Sequence, residues 1–161
     1  MDSVYIETSI VSYATAWPSS DPAIAILQAQ AKQWWDQKRA AYRLVTSQFV
    51  LDEAALGDPN AAALRLAMLA GIPLLLPDEQ VEQIAEEIIA RSLMPPKAKL
   101  DALHVAAAAV GGVEYLLTQN CRHIANAHAL PRVYELLEER GLPRLLICTP
   151  AEFLGDMPDE P

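Results

Sequence analysis

The sequence predicts an α/β domain in three layers, a central parallel sheet of about five strands with helices on both faces. Short aliphatic and β-branched runs alternate with longer segments whose apolar residues recur every three or four positions. That is the order that strand–helix–strand units produce. The strand runs are also continuously apolar rather than alternating, as expected of strands buried on both sides.

Val4-Tyr5-Ile6 reads as a first strand ending at Glu7. Asp21-Pro22 offers an N-cap and a proline at the first helical position, and Ile24, Leu27, Ala31 and Trp34 follow at helical spacing. A helix to about Tyr42 is expected. Leu44-Val45-Thr46 reads as a second strand, and Gln48 to Leu56 as a helix stopped by Gly57-Asp58-Pro59. Asn60 to Ala70 is a further helix closed by Gly71. The dense aliphatic run from Ile72 to Leu76 is expected to be a third strand despite Pro73.

After Pro77-Asp78, Val81, Ile84, Ala85, Ile88 and Ile89 define one helical face, and Glu79, Glu82, Glu86 and Glu87 the solvated one. Pro95-Pro96 breaks the chain before an alanine-rich helix from Lys99 to Val110, ended by Gly111-Gly112. Glu114 to Thr118 reads as a fourth strand, Pro131 to Arg140 as a helix, and Leu145 to Cys148 as a fifth strand. No internal repeat is visible. A single domain over residues 1–155 is expected, followed by an acidic, flexible tail at 156–161.

With 161 residues, folding removes roughly 70% of the unfolded surface from water, enough for one core. Hydrophobic residues at 52% and charged residues at 20% exclude a disordered chain. The start Met-Asp-Ser-Val lacks the basic and apolar regions of a signal peptide, and no run reaches the ~18 apolar residues of a membrane span. A cytoplasmic location without membrane contact is therefore expected. Cys121 and Cys148 are too few for a disulfide framework and read as reduced thiols. The net charge of −9 excludes nucleic-acid binding through a broad basic face. Any such contact must be local, transient or metal-mediated.

In an open parallel sheet the ligand site lies outside the carboxyl ends of the strands. Glu7 closes the first strand, Glu53 sits in the helix after the second, Asp101 in the first turn of the helix leading into the fourth, and Thr118 and Asn120 leave the fourth. All converge on one rim. Each has an ordinary explanation: Glu7 as a solvated strand end, Asp101 as a partner of the helix dipole, Glu53 as surface beside Asp52, Asn120 as a turn residue. Their convergence is what points to chemistry. Carboxylates brought together repel unless a cation joins them, and oxygen ligands select a hard ion such as Mg²⁺ or Mn²⁺. Such an ion suits phosphodiester hydrolysis. Cys121, His123 and His128 lack the second ligand pair of a zinc site, and neither GxGxxG nor GK[ST] occurs.

Tyr5-Ile6-Glu7-Thr8-Ser9, Ser47-Gln48-Phe49-Val50-Leu51-Asp52-Glu53, Asp101-Ala102-Leu103-His104-Val105-Ala106-Ala107-Ala108 and Leu116-Leu117-Thr118-Gln119-Asn120 resemble, in order and spacing, the four acidic motifs of PIN domains. VapC-like toxins of bacterial toxin–antitoxin pairs are the nearest match, over about Val4 to Cys148. The resemblance implies a PIN-like sandwich and a Mg²⁺- or Mn²⁺-dependent endoribonuclease that uses a metal-activated water and leaves a 5′-phosphate and a 3′-hydroxyl. It implies Glu7, Glu53, Asp101 and Asn120 as catalytic metal ligands, with Thr8 and Thr118 beside them as supporting or phosphate-contacting hydroxyls. It also implies an RNA substrate, a homodimer and neutralisation by a small antitoxin protein.

Glu7 and Asn120 depart from the family's aspartates. The longer arm of Glu7 keeps the charge, whereas Asn120 loses it, which weakens a second metal position more than the first. Arg122 and His123, with Lys97 and Lys99, are the nearest cations for phosphate contacts. The alternative to a nuclease is a catalytically weak PIN fold serving as a protein-interaction module. Phosphatase chemistry on the same rim ranks below both, because Glu7 is a poor substitute for an aspartate nucleophile.

Overall fold

The computed structural model describes residues 1–155, so the acidic tail expected at 156–161 lies outside the described residues. Four parallel strands form the sheet: β1 (Ser3–Ile6), β2 (Arg43–Val45), β3 (Tyr115–Leu117) and β4 (Leu146–Cys148). Their spatial order is β2-β1-β3-β4, with Val4 facing both Leu44 and Tyr115, and Tyr115 facing Leu146. Val4, Tyr5 and Ile6 are all fully buried. Because consecutive strand residues point to opposite faces, both sides of β1 are covered.

The covering comes from α1 (Thr8–Thr15), α2 (Pro22–Gln37), α3 (Gln48–Ala54), α4 (Pro59–Leu69), α5 (Glu79–Ala90), α6 (Lys99–Val110), α7 (Leu130–Glu139) and α8 (Pro150–Leu154). Helix α5 packs on α6, and α1 on α2 and α4. Val81, Ile84, Ala85 and Ile88 are buried on α5 as the spacing predicts. An aromatic cluster of Trp34, Tyr42, Tyr115 and Phe153 ties α2 and α8 to the sheet. Among the described residues no helix is long and apolar enough to cross a membrane.

Two expectations need correction, and one helix lies outside them. The run from Ile72 to Leu76 is not a strand but makes a single parallel bridge, Thr46 to Leu74, beside the end of β2. Pro73 contributes only its carbonyl to Thr46 N–H, and Leu76 is 89% exposed. A segment lacking the Pro73 donor and one continuously buried face does not extend the ladder. The sheet therefore has four strands among the described residues, not five.

The long helix expected to reach Tyr42 stops at Gln37 and is followed by a 3₁₀ turn over Arg39–Ala41. Its buried side chains are Ala31, Trp34 and Trp35, while Ile24 and Ile26 are exposed. Finally, α1 occupies a stretch that carries no helical signal. Thr-Ser-Ile-Val-Ser-Tyr-Ala-Thr is made largely of weak helix formers. It folds because the Glu7 side chain caps it by accepting from Ser9 N–H, and because Ile10 and Val11 are buried against the core.

Candidate metal centre

Parallel strands end on one edge, and that edge positions the polar residues. Glu7 follows β1 and Thr118 follows β3, while the first turns of α1 and α6 begin there. A cavity of about 530 Å³ opens between them, and Glu7, Thr8, Glu53, Asp101 and Asn120 all line it. The four residues singled out as metal ligands therefore share one concavity.

Glu7 is the most constrained. Its Oε2 accepts from Ser9 N–H at 3.0 Å, from Thr118 Oγ1 at 2.8 Å and from the Ser9 hydroxyl. Burial pushes its carboxyl above the usual range, against the opposing pull of the His104 charge and of the donors from Ser9 and Thr118. Ser9 Oγ also accepts from Gln119 N–H at 2.8 Å, and Thr118 Oγ1 accepts from Asn120 N–H at 2.9 Å. These hydroxyls knit the ends of β1 and β3 into one frame.

Glu53 projects from α3 and its Oε1 lies 3.0 Å from Nε2 of His104, a fully buried side chain on α6. Burial favours a raised Glu53 carboxyl, yet the bond from His104, the nearby Thr8 hydroxyl and the His104 charge outweigh it and hold the group below the ordinary value. The Thr8 hydroxyl is buried and reaches hydrogen-bond geometry with no partner. Ligand atoms of Glu7, Glu53 and His104 all fall within 4.8 Å of one another. Glu7 and Glu53 could hold a divalent cation. His104 already directs both ring nitrogens to protein groups, Nε2 to Glu53 and Nδ1 to the Tyr5 hydroxyl at 2.9 Å.

Asp101 stands in the first turn of α6 and lines the cavity, but lies outside that tight trio. Its Oδ2 is 3.0 Å from Nδ1 of His123. Asn120 lines the cavity and also serves the backbone. Its Oδ1 accepts from His123 N–H at 3.0 Å, so the amide oxygen already closes the turn after β3.

The expected phosphate cations separate into two groups. Lys99 turns away to Glu82 and Glu86 on α5 and does not line the cavity, and neither does Lys97. Arg122 does line it. Two residues of consequence escaped the sequence reading. Arg65 lines the cavity from α4, with its guanidinium fixed on the carbonyls of Ala54 and Leu56. His104 had a visible signal, a polar side chain after Asp101 in a helix otherwise composed of Ala, Leu and Val.

No protein-family model matches the chain, and no curated protein matches it either.

Proposed function

We propose that this protein is a metal-dependent endoribonuclease with a PIN-like fold, acting in the cytoplasm as the toxin of a toxin–antitoxin pair. One observation carries the reading: carboxylates from three separate chain segments, Glu7, Glu53 and Asp101, line one cavity at the carboxyl edge of a parallel sheet. The donor set fits Mg²⁺ or Mn²⁺. It consists of oxygens, two of its carboxylates are close together, and the buried Thr8 hydroxyl beside them has an unmet bond. A divalent ion bound there would supply Lewis-acid chemistry, polarising a phosphoryl oxygen and lowering the pKa of a water.

The protein's own contribution is positioning. Ser9 and Thr118 fix Glu7, His104 fixes Glu53, and His123 fixes Asp101. Arg65 and Arg122 are the cavity-lining cations suited to the phosphates flanking the scissile bond. With an uncharged amide at Asn120, whose Oδ1 already accepts from His123 N–H, three carboxylates supply the negative charge, which favours one ion over two.

Beside the cavity, and sharing Ser12 and Arg65 with it, lies a groove lined by Trp17 and Leu64. Trp17 is 92% exposed. Apolar surface at the mouth of the site supports a protein partner there, either an antitoxin or a second copy of the chain. The same groove, together with the altered Asn120, favours the second reading, a catalytically weak interaction module. RNA cleavage in Mn²⁺ and in chelator, for wild type and Asp101→Asn, separates them. Cleavage lost in chelator and in the variant supports the nuclease; wild type and variant behaving identically rejects it.

A further inference from the structure

Glu53 is held from behind by a chain of side chains that never reach the cavity. Ser47 Oγ lies 2.6 Å from the Tyr5 hydroxyl, Tyr5 Oη lies 2.9 Å from His104 Nδ1, and His104 Nε2 lies 3.0 Å from Glu53 Oε1. Tyr5 and His104 are both fully buried, and Ser47 is 4% exposed. Neither Tyr5 nor His104 lines the cavity. The chain links β1, α6 and the residue before α3, so it spans the sheet and two helices.

The direction of its last bond is set by the carboxylate. An ionised carboxylate only accepts, so His104 Nε2 must carry a hydrogen toward Glu53. Behind the ring, Nδ1 shares a hydrogen with the Tyr5 hydroxyl, and the Tyr5 hydroxyl shares one with Ser47 Oγ. The chain therefore ends in one fixed donation, from His104 Nε2–H to the single carboxylate, and the groups behind the ring hold it in place.

We infer that Tyr5 and His104 are positioning residues that aim the Glu53 carboxylate at the cavity, so that divalent-ion affinity is set in part by side chains buried behind the site. This rests on the metal-site reading of the cavity. A merely structural chain would contribute to folding alone, whereas an aiming device alters ion affinity in protein that remains folded. Outer partners of this kind change metal affinity by about 10- to 100-fold.

The test is Mn²⁺ binding to the full chain, followed by the electron paramagnetic resonance of free Mn²⁺, with thermal melting in chelator as the folding control. The variants are Tyr5→Phe, His104→Gln and His104→Leu. Tyr5→Phe deletes one hydroxyl and keeps the ring, so it remains informative if His104→Leu does not fold. We expect a several-fold loss of affinity in Tyr5→Phe, about 10- to 100-fold in His104→Leu, and substantial recovery in His104→Gln, whose amide can still donate to Glu53. Wild-type affinity in folded Tyr5→Phe, or equal losses in Gln and Leu variants, overturns the inference while leaving the metal site intact. A wild type that binds no Mn²⁺ overturns both.

Discussion

Asp101 on α6 and His123 in the turn after β3 meet at 3.0 Å, carboxylate oxygen to ring nitrogen, with both side chains more than four-fifths buried. The contact joins two segments that the chain separates by 22 residues, and it sets which Asp101 oxygen remains for the cavity. His123→Ala removes that partner but keeps the backbone N–H that binds Asn120. Mn²⁺-dependent RNA cleavage is expected to fall by about 10-fold, with stability lowered by roughly 1–3 kcal/mol, the cost of leaving a largely buried carboxylate without its partner. Comparing cleavage rates with melting curves decides it; a large stability loss with proportionate activity loss would mean the pair is only structural.

Glu7 contributes a pH dependence to the stability of the metal-free protein. Its carboxyl is raised in the folded state, chiefly by burial. The sign follows from linkage: a raised folded value means that stability is fully present below the unfolded value, near 4.3, and is lost as pH rises toward the folded one. In chelator, Glu7→Gln should therefore melt above wild type at pH 8 and close to it at pH 4. Saturating Mn²⁺ should reverse the order at pH 8, because ion binding stabilises only the chain that keeps the ligand. Melting at the two pH values, with and without Mn²⁺, gives four comparisons. Glu7→Gln melting below wild type in chelator at pH 8 would contradict the argument.

What the sequence reveals of this molecule is what local rules decide. The β1 strand, the α5 stripe and α6 follow from apolar spacing and from proline and glycine punctuation. The placing of Glu7 and Asp101 on one edge follows from topology alone. Helix α1 was illegible because its residues disfavour helix and its start is fixed by a glutamate side chain, an unusual cap. The run at 72–76 misleads because its aliphatic density outweighs Pro73 by composition, whereas only Leu74 pairs, with Thr46. The Ser47–Tyr5–His104–Glu53 chain joins residues as far as 99 positions apart, and no spacing rule reaches that far.

The two groups of cations expected to meet phosphate should behave differently. Lys99 is an exposed partner of Glu82 and Glu86, whereas Arg122 lines the cavity. Lys99→Ala should leave RNA cleavage unchanged and cost no more than the ~1 kcal/mol of a surface pair. Arg122→Ala should weaken substrate binding, seen as a raised KM and a shallower dependence of binding on salt concentration. Equal effects of the two substitutions on KM would remove the cavity's claim to be where RNA binds.

Thr8 provides the sharpest opposition between stability and function. Its hydroxyl is buried without a partner, while the rest of the side chain packs at the start of α1. Leaving a buried hydroxyl unmet costs roughly 1–3 kcal/mol, and replacing it by a group of the same shape without polarity recovers part of that. Thr8→Val keeps the shape. In chelator it should be as stable as wild type or more so, by about 1 kcal/mol. If that hydroxyl exists to face an ion or a substrate phosphate, the same substitution must weaken Mn²⁺ binding or RNA cleavage even though the fold gains. Urea unfolding measures the first effect, and Mn²⁺ titration with cleavage kinetics the second. A variant that gains stability and keeps full activity would assign the Thr8 hydroxyl to neither ion nor substrate. The metal would then have to be held by Glu7, Glu53 and Asp101 without it.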